Sequence, residues 1–211
     1  MGINFGESIP APATPSGEVL PSNDGFSLDL SKDSFLDLSK AAPGLQNIRL
    51  AAGWDVATAG QSADLDIAAF MLDENGKIYS LEDVIFFKHK TASGITLNGD
   101  NLTGAGDGDD ETMDIVLNQI PSKYKTIKFC ITIYDADAKQ QTFGMVNNAY
   151  VRVLNKDENN KEICKFRLKE EYSTSTSVIV AELRNNNGNW EFAAIGEGVR
   201  ADLNGIANMF R

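Results

Sequence analysis

The sequence predicts a mainly β protein, a two-sheet antiparallel β-sandwich with short peripheral helices, from three observations. Short apolar segments recur from Phe26 onward, several of them alternate apolar and polar residues, and turn residues separate them at regular spacing. The segment Thr126 to Ala136 shows the alternation well, because every second residue from Ile127 to Ile133 is a large apolar one. We therefore expect one sandwich domain over residues 26–211.

The predicted elements follow in chain order. The strands are Phe26 to Ser31, Asn47 to Val56, Asp64 to Leu72, Ile78 to Phe87, Glu111 to Leu117, Thr126 to Ala136, Ala149 to Asn155, Lys161 to Leu168 and a hairpin, Ser177 to Gly196. The turns between them are Pro43-Gly44, DENGK (Asp73 to Lys77), KDENN (Lys156 to Asn160) and NNNG at the hairpin tip. Two segments, Ala138 to Tyr150 and the C-terminal ADLNGIANMF, have features of short helices.

Residues 1–25 form a Pro-rich N-terminal extension that differs from the rest of the chain. The stretch Ser8 to Gly25 holds four of the six prolines and few large apolar residues. Such a composition favours an extended segment, either a loose tail or an arm that a neighbouring subunit or the domain itself holds in place.

The charge of the chain restricts its partners. The formal net charge is −11, which argues against non-specific nucleic-acid binding and against direct docking on anionic lipid. The acids are unevenly distributed, since no Lys or Arg lies between Lys90 and Lys123 or between Arg49 and Lys77. Carboxylates packed closely in such segments repel one another unless a cation lies among them.

The two cysteines, Cys130 and Cys164, lie in apolar or alternating segments without CxxC spacing, so we expect buried free thiols and no zinc site. Buried free thiols agree with a reducing, cytoplasmic location. No apolar run approaches the ~20 residues of a membrane helix, and the N-terminus lacks the features of a secretory signal.

The segment from Asn98 to Asp114, NGDNLTGAGDGDDETMD, has the composition of a cation-binding loop. Its glycines accept the sharp backbone turns that aim successive oxygens at one point. Hard oxygen ligands without neighbouring His or Cys favour calcium or magnesium, and calcium suits a flexible loop of high coordination number. The same composition also occurs in ordinary turns, and the spacing is not that of an EF-hand.

Aspartates elsewhere strengthen the metal interpretation. Asp64 and Asp66 lie two apart in a predicted strand and should share one face. Asp135 and Asp137 follow directly on another predicted strand. The sequence therefore predicts several acidic strand ends beside the Gly/Asp loop.

Six segments in this order resemble one known family. They are GWDV, DLDIAAFML, GDNLTGAGDGDDE, ITIYDADAKQQTFG, NAYVRV and the closing hairpin with NWEFAAIGEG, and together they resemble the bacterial tellurium-resistance TerD family of stress proteins. The resemblance runs from about Phe26 to the C-terminus.

The resemblance implies a β-sandwich with two calcium ions bound by loops at one end. The ligands or near-ligands that it implies are Asp64, Asp66, Asp100, Asn101, Thr103, Gly104, Gly106, Asp107, Asp109, Asp110, Glu111 and Asp135. The chain departs from the family pattern at Ser62, where the family often has another Asp, so one site is expected to be weakened or hydrated. The Pro-rich extension is also additional to the family domain.

Catalysis has little support in the sequence. The single histidine, His89, lies in a charged segment, and neither cysteine has an activating partner. We expect a non-enzymatic calcium-binding domain that acts as a protein-interaction module in a stress or defence complex. The alternative is a structural component of a large bacterial or phage assembly, with the N-terminal arm contacting neighbouring subunits. Membrane association is expected only through calcium.

Overall fold

The computed structural model describes residues 17–18, 27–56, 63–98, 108–168 and 172–211. Its strands are β1 (Gly17–Glu18), β2 (Leu28–Leu30), β3 (Ser34–Asp37), β4 (Asn47–Val56), β5 (Leu65–Leu72), β6 (Val84–Ile85), β7 (Thr91–Ala92), β8 (Ile95–Leu97), β9 (Glu111–Val116), β10 (Thr126–Ile133), β11 (Val146–Asn155), β12 (Lys161–Arg167), β13 (Ser177–Asn186) and β14 (Asn189–Val199). Its α-helices are α1 (Leu38–Ala41), α2 (Ala136–Lys139) and α3 (Leu203–Met209). Short 3-10 turns cover Leu81–Asp83, Leu117–Gln119, Phe143–Met145 and Lys156–Glu158.

The strands form two seven-stranded sheets. The first has the order β1-β3-β14-β13-β10-β5-β6, and the second has the order β2-β12-β11-β4-β9-β8-β7. Neighbouring strands are antiparallel except at one edge of each sheet, where β1 pairs with β3 and β2 pairs with β12 in parallel. The predicted two-sheet sandwich is confirmed, and the parallel edge pairs are an addition to it.

The core lies between the sheets and continues onto one outer face. Along β5 the alternate residues Leu65 and Ile67 face the second sheet, and Phe70 faces outward. Helix α3 covers this outward side, with the Phe210 ring, just after the helix, 5.4 Å from that of Phe70. Burial on both faces explains why β5 is a nearly continuous apolar run and not an alternating one.

The short helix predicted at the C-terminus is confirmed as α3, with Asp202 accepting a hydrogen bond from Gly205 N at 2.8 Å. The helix expected over residues 138–150 is wrong for most of that range. Only α2 and a 3-10 turn precede β11, because the chain from Val146 onward pairs with β4. Strand pairing thus outweighs a weak local preference.

The strand expected over Ile78 to Phe87 is also shorter in the structure. Ser80 and Asp83 form a capping box around a 3-10 turn, so the strand is reduced to β6. The two cysteines are free and buried, as expected. Within the described ranges, no helix is long and apolar enough to cross a membrane.

Candidate functional site

The predicted acidic segments meet at one end of the sandwich, called here the acidic end. Strands β5 and β9 begin there, and β4, β8 and β10 end there. The pairing fixes this arrangement, since Glu111 lies opposite Ala52 near the end of β4 and Leu65 lies opposite Ile133 at the end of β10. Residues 98–110, called here the Gly/Asp segment, connect β8 to β9, so both ends of this segment lie at the acidic end.

Half of the predicted ligands lie outside the described residues. These six are Asp100, Asn101, Thr103, Gly104, Gly106 and Asp107. Among the residues that the structure does describe, no group of three or more His, Cys, Asp or Glu side chains is arranged to hold a metal ion. The metal site thus stays a prediction, and the structure locates the other six residues.

Asp64, Asp66 and Asp135 lie at the neighbouring ends of β5 and β10, although their carboxylates do not form a metal-holding group of three among the described residues. The backbone oxygen of Asp64 accepts a hydrogen bond from Tyr134 N at 2.8 Å, which places it beside Asp135 in the chain that follows β10. Asp66 lies within β5 and is 7% exposed. Asp135 is exposed and has a positive φ of 55° at the start of α2, a backbone conformation that Asp tolerates better than most residues.

Asp109 is paired with a cation from β11, which lies two strands from β9 in the second sheet. Both of its carboxylate oxygens accept hydrogen bonds from Arg152 in β11, at 2.9 and 2.8 Å, and Tyr150 donates to the same carboxylate at 3.0 Å. Burial, followed by the nearby charge of Asp109, raises the pKa of Tyr150 to about 12. Asp109 therefore already forms a bidentate ion pair with Arg152 in this structure.

Asp110 joins the end of the Gly/Asp segment to β4 through two hydrogen bonds. Its backbone N donates to Ala52 O at 2.8 Å, and its side-chain oxygen accepts from Trp54 N, also at 2.8 Å. These two bonds extend the β4–β9 ladder by one step beyond Glu111.

Glu111 spans the gap between the two sheets. It belongs to β9 of the second sheet, is 1% exposed, and accepts a hydrogen bond from the backbone N of Ile67 in β5 at 2.6 Å. Strand β6 pairs with β5 only at Ala69 and Phe70. The carboxylate of Glu111 thus satisfies a backbone donor of β5 at a point that β6 does not reach.

Basic residues distant in sequence approach the acidic segments. Asp114 accepts from Arg49 at 2.6 and 3.0 Å and from Lys156 at 2.5 Å. Burial alone would raise the pKa of Asp114, but these hydrogen bonds outweigh it and hold the pKa below its usual value. The segment that lacks bases along the chain therefore has counter-charges in the fold, supplied by strands β4 and β11 and the turn after β11.

Two residues at the acidic end were not predicted to take part in the site. Lys139 in α2 brings its ammonium to 4.0 Å from Asp64 Oδ2 and lies over the ring of Tyr134, 5.1 Å from its centre. Tyr134 is 42% exposed and meets the Phe87 ring edge-on at 5.8 Å. The only sequence signal for either residue is the YDADAK segment itself, in which Lys139 follows Asp135 by one helical turn.

The single histidine shows no catalytic arrangement with its described neighbours. His89 is partly buried, and its Nδ1 lies 3.0 Å from the backbone oxygen of Val84. Burial raises the pKa of both cysteine thiols, which keeps them protonated and unreactive.

The chain is similar to members of one family along most of its length. The TerD domain family model matches residues 26–210. The tellurium resistance protein TerD of Serratia marcescens is 42% identical over 188 residues, which cover 88% of this chain and 97% of that protein. General stress protein 16U of Bacillus subtilis strain 168 is 41% identical over 186 residues, covering 86% and 96%. The crystal structure of SAV2460, a protein of unknown function, is 27% identical, with a TM-score of 0.65 over 80% of this chain and 99% of that one.

Proposed function

The chain belongs to the TerD family, and on this premise we propose that it is a non-enzymatic calcium-binding domain whose acidic end presents a protein-interaction surface when calcium is bound. Relatives described as tellurium resistance and general stress proteins suggest a role in a stress response. The observation that carries the proposal is that Asp64, Asp66 and Asp135 lie at the same end of the sandwich as both ends of the Gly/Asp segment.

The donors that the fold offers there suit a hard divalent cation. Asp64, Asp66 and Asp135 would supply carboxylate oxygens, and the predicted loop ligands, such as Asp100 and Asp107, would add further oxygens from the same end of the sandwich. Calcium would neutralise the mutual repulsion of these carboxylates. Asp109, Asp110 and Glu111 would hold the end of the segment in register through the bonds described above, beside up to two ions.

The test is a calcium titration of the purified protein with thermal unfolding as the measurement. An ion that binds only the folded state stabilises it by about 2.7 kcal/mol at a hundredfold excess over the dissociation constant, so the midpoint should rise with calcium concentration. Magnesium should give a smaller rise, since it demands a stricter octahedral geometry.

The matched variants are Asp64→Asn with Asp66→Asn, and the control Glu74→Gln, which removes an exposed carboxylate in the turn after β5. The double variant should lose most of the calcium-dependent rise, and the control should keep it. The absence of any rise for the unmodified protein at millimolar calcium would rule the proposal out.

The second candidate, a subunit of a larger assembly, rests on the N-terminal extension. Gly17 and Glu18 form β1 at the edge of the first sheet, where they pair with Ser34 and Phe35. An edge of this kind can also accept a strand from another subunit. Deletion of residues 2–24 should then change the mass of the complex measured by light scattering, and an unchanged mass would exclude this role for the extension.

A further inference from the structure

A cleft of about 360 Å³ opens at the end of the sandwich opposite to the acidic end. It lies between α1, the 3-10 turn that follows β9, and the tip of the β13–β14 hairpin. Its lining residues are Leu38, Ser39, Leu45, Gln46, Leu117, Asn118, Ile120, Ser122, Lys125, Asn185, Asn187, Gly188 and Trp190. The volume is within the range of small-molecule sites, which is roughly 300–1,000 Å³.

Side-chain amides are concentrated on the rim of the cleft. Gln46, Asn118 and Asn187 are exposed, and Asn185 is half-buried. None of the three exposed amide side chains forms a hydrogen bond with the residues that the structure describes. Each of these groups can donate and accept at once, so together they match a ligand whose own groups also donate and accept, which is the property of a hydroxyl.

The floor of the cleft is apolar. Leu38, Leu117, Ile120 and Trp190 line it, and each is at most 7% exposed. An apolar floor under a polar rim suits a ring that presents C–H groups on one face and hydroxyls around its edge.

The charge of the cleft differs from that of the whole molecule. Lys125 is the one charged residue among the described lining residues, and these include no Asp or Glu, although the formal net charge of the chain is −11. The cleft therefore does not favour metal ions or cationic ligands, and it has one site for an anionic substituent.

Hydrogen bonds from three backbone N–H groups hold the cleft in shape. Gly188 N donates to Asn185 Oδ1 at 2.8 Å across the hairpin tip, and Asn185 N donates to Lys125 O at 2.9 Å. Trp190 N donates to Ser39 Oγ at 3.0 Å, which ties the hairpin to α1. A site fixed before binding loses less conformational entropy when the ligand arrives.

We propose that this cleft binds a small polyhydroxylated ligand of the mono- or disaccharide class, neutral or carrying one acidic group at Lys125. The amide rim would bind the hydroxyls, and the small apolar area beside the half-buried Leu45 and the exposed edge of Trp190 would contact C–H groups of the ring. The site is separate from the acidic end, so binding there does not require calcium.

The experiment is saturation-transfer NMR on the full chain in EGTA, with glucose, N-acetylglucosamine, lactose and glucuronic acid as probes and inorganic phosphate as an anion without hydroxylated carbon. We expect transfer to the ring protons of at least one sugar, with millimolar affinity. Asn118→Ala and Gln46→Ala should each weaken binding roughly threefold to tenfold, as expected for one lost hydrogen bond.

The matched control is Gln119→Ala, because Gln119 follows Asn118 in the same turn but does not line the cleft. It should leave the affinity unchanged. The proposal is overturned if none of the sugars binds, or if Gln119→Ala weakens binding as much as Asn118→Ala. It is also overturned if phosphate displaces every bound sugar with a higher affinity than theirs, which would make the cleft an anion site. Circular dichroism of each variant verifies that the fold is retained.

Discussion

Substitution of Asp109 by Asn tests whether this carboxylate stabilises the fold or binds calcium. In the structure Asp109 accepts two hydrogen bonds from Arg152 and one from Tyr150. The side chains of Asp109 and Arg152 are 14% and 27% exposed, so the pair is neither fully buried nor fully solvated. Asn removes the negative charge and replaces one carboxylate oxygen by an NH2 group. This group faces a guanidinium N–H, so two donors meet and the bidentate pair is lost.

The expected loss of stability in Asp109→Asn follows from the intermediate burial of the Asp109–Arg152 pair. A hydrogen bond to a charged group contributes about 1.5–3 kcal/mol, whereas exposed ion pairs contribute about 0–1 kcal/mol. Arg152 keeps a second partner in Glu162, at 2.7 Å. We therefore expect Asp109→Asn to lower the free energy of unfolding by about 2 kcal/mol. With a urea dependence of about 2 kcal/mol per molar, the urea midpoint should fall by about 1 M.

The assay is urea unfolding in EGTA, repeated in saturating calcium. The control is Asp137→Asn, because Asp137 and Arg200 are 3.9 Å apart and both mostly exposed, so its midpoint should change by less than about 0.3 M. The rise in midpoint caused by calcium should persist in Asp109→Asn. If that variant instead has normal stability in EGTA and no response to calcium, Asp109 is a metal ligand and the reasoning is refuted.

Three further outcomes are expected. Lys139→Met should raise the calcium affinity by up to about fivefold in a calorimetric titration, because the ammonium 4.0 Å from Asp64 no longer competes with the ion. Lowering the pH below about 4 should reduce the urea midpoint, and Asp114→Asn should make this decrease smaller. The reason is that the pKa of Asp114 is lower in the folded state than in the unfolded state. The ionised carboxylate therefore stabilises the fold above the unfolded pKa, and this stabilisation disappears as the pH falls through the folded pKa. Both buried thiols should resist a thiol reagent until urea unfolds the protein, and rapid labelling of the native chain would contradict their burial.

The sheets could be predicted from sequence because hydrophobic pattern and turn residues are local signals. Strand β4 begins and ends where the sequence predicts it, at Asn47 and Val56, and β5 differs by one residue at its start. Strand β3 and helix α1 were not predicted, since SFLDLSKA is too short to show a period. Their burial, with Leu36 and Leu38 fully enclosed, comes from contacts with distant parts of the chain.

The acidic strand ends could also be predicted, but their bonding partners could not. Arg152 and Asp109 are 43 residues apart, and Glu111 and Ile67 are 44 apart. No periodicity in the sequence connects such positions, because the connection exists only once the two sheets are aligned. Counting bases along the chain therefore underestimates the counter-charge at the acidic end.

Three consecutive carboxylates at the start of β9 show why composition alone does not assign ligands. Asp109 binds a guanidinium of β11, Asp110 accepts a backbone N–H of β4, and Glu111 accepts a backbone N–H of β5 in the other sheet. The single amide oxygen of Asn or Gln can replace a carboxylate oxygen that accepts one N–H. It cannot replace the two carboxylate oxygens that together accept from a guanidinium group. The three acids therefore differ in how much of their contribution to the stability of the fold depends on the negative charge. A bound ion at the acidic end would lie beside a segment that is already joined to both sheets, so calcium bound there and the stability of the whole sandwich should be coupled.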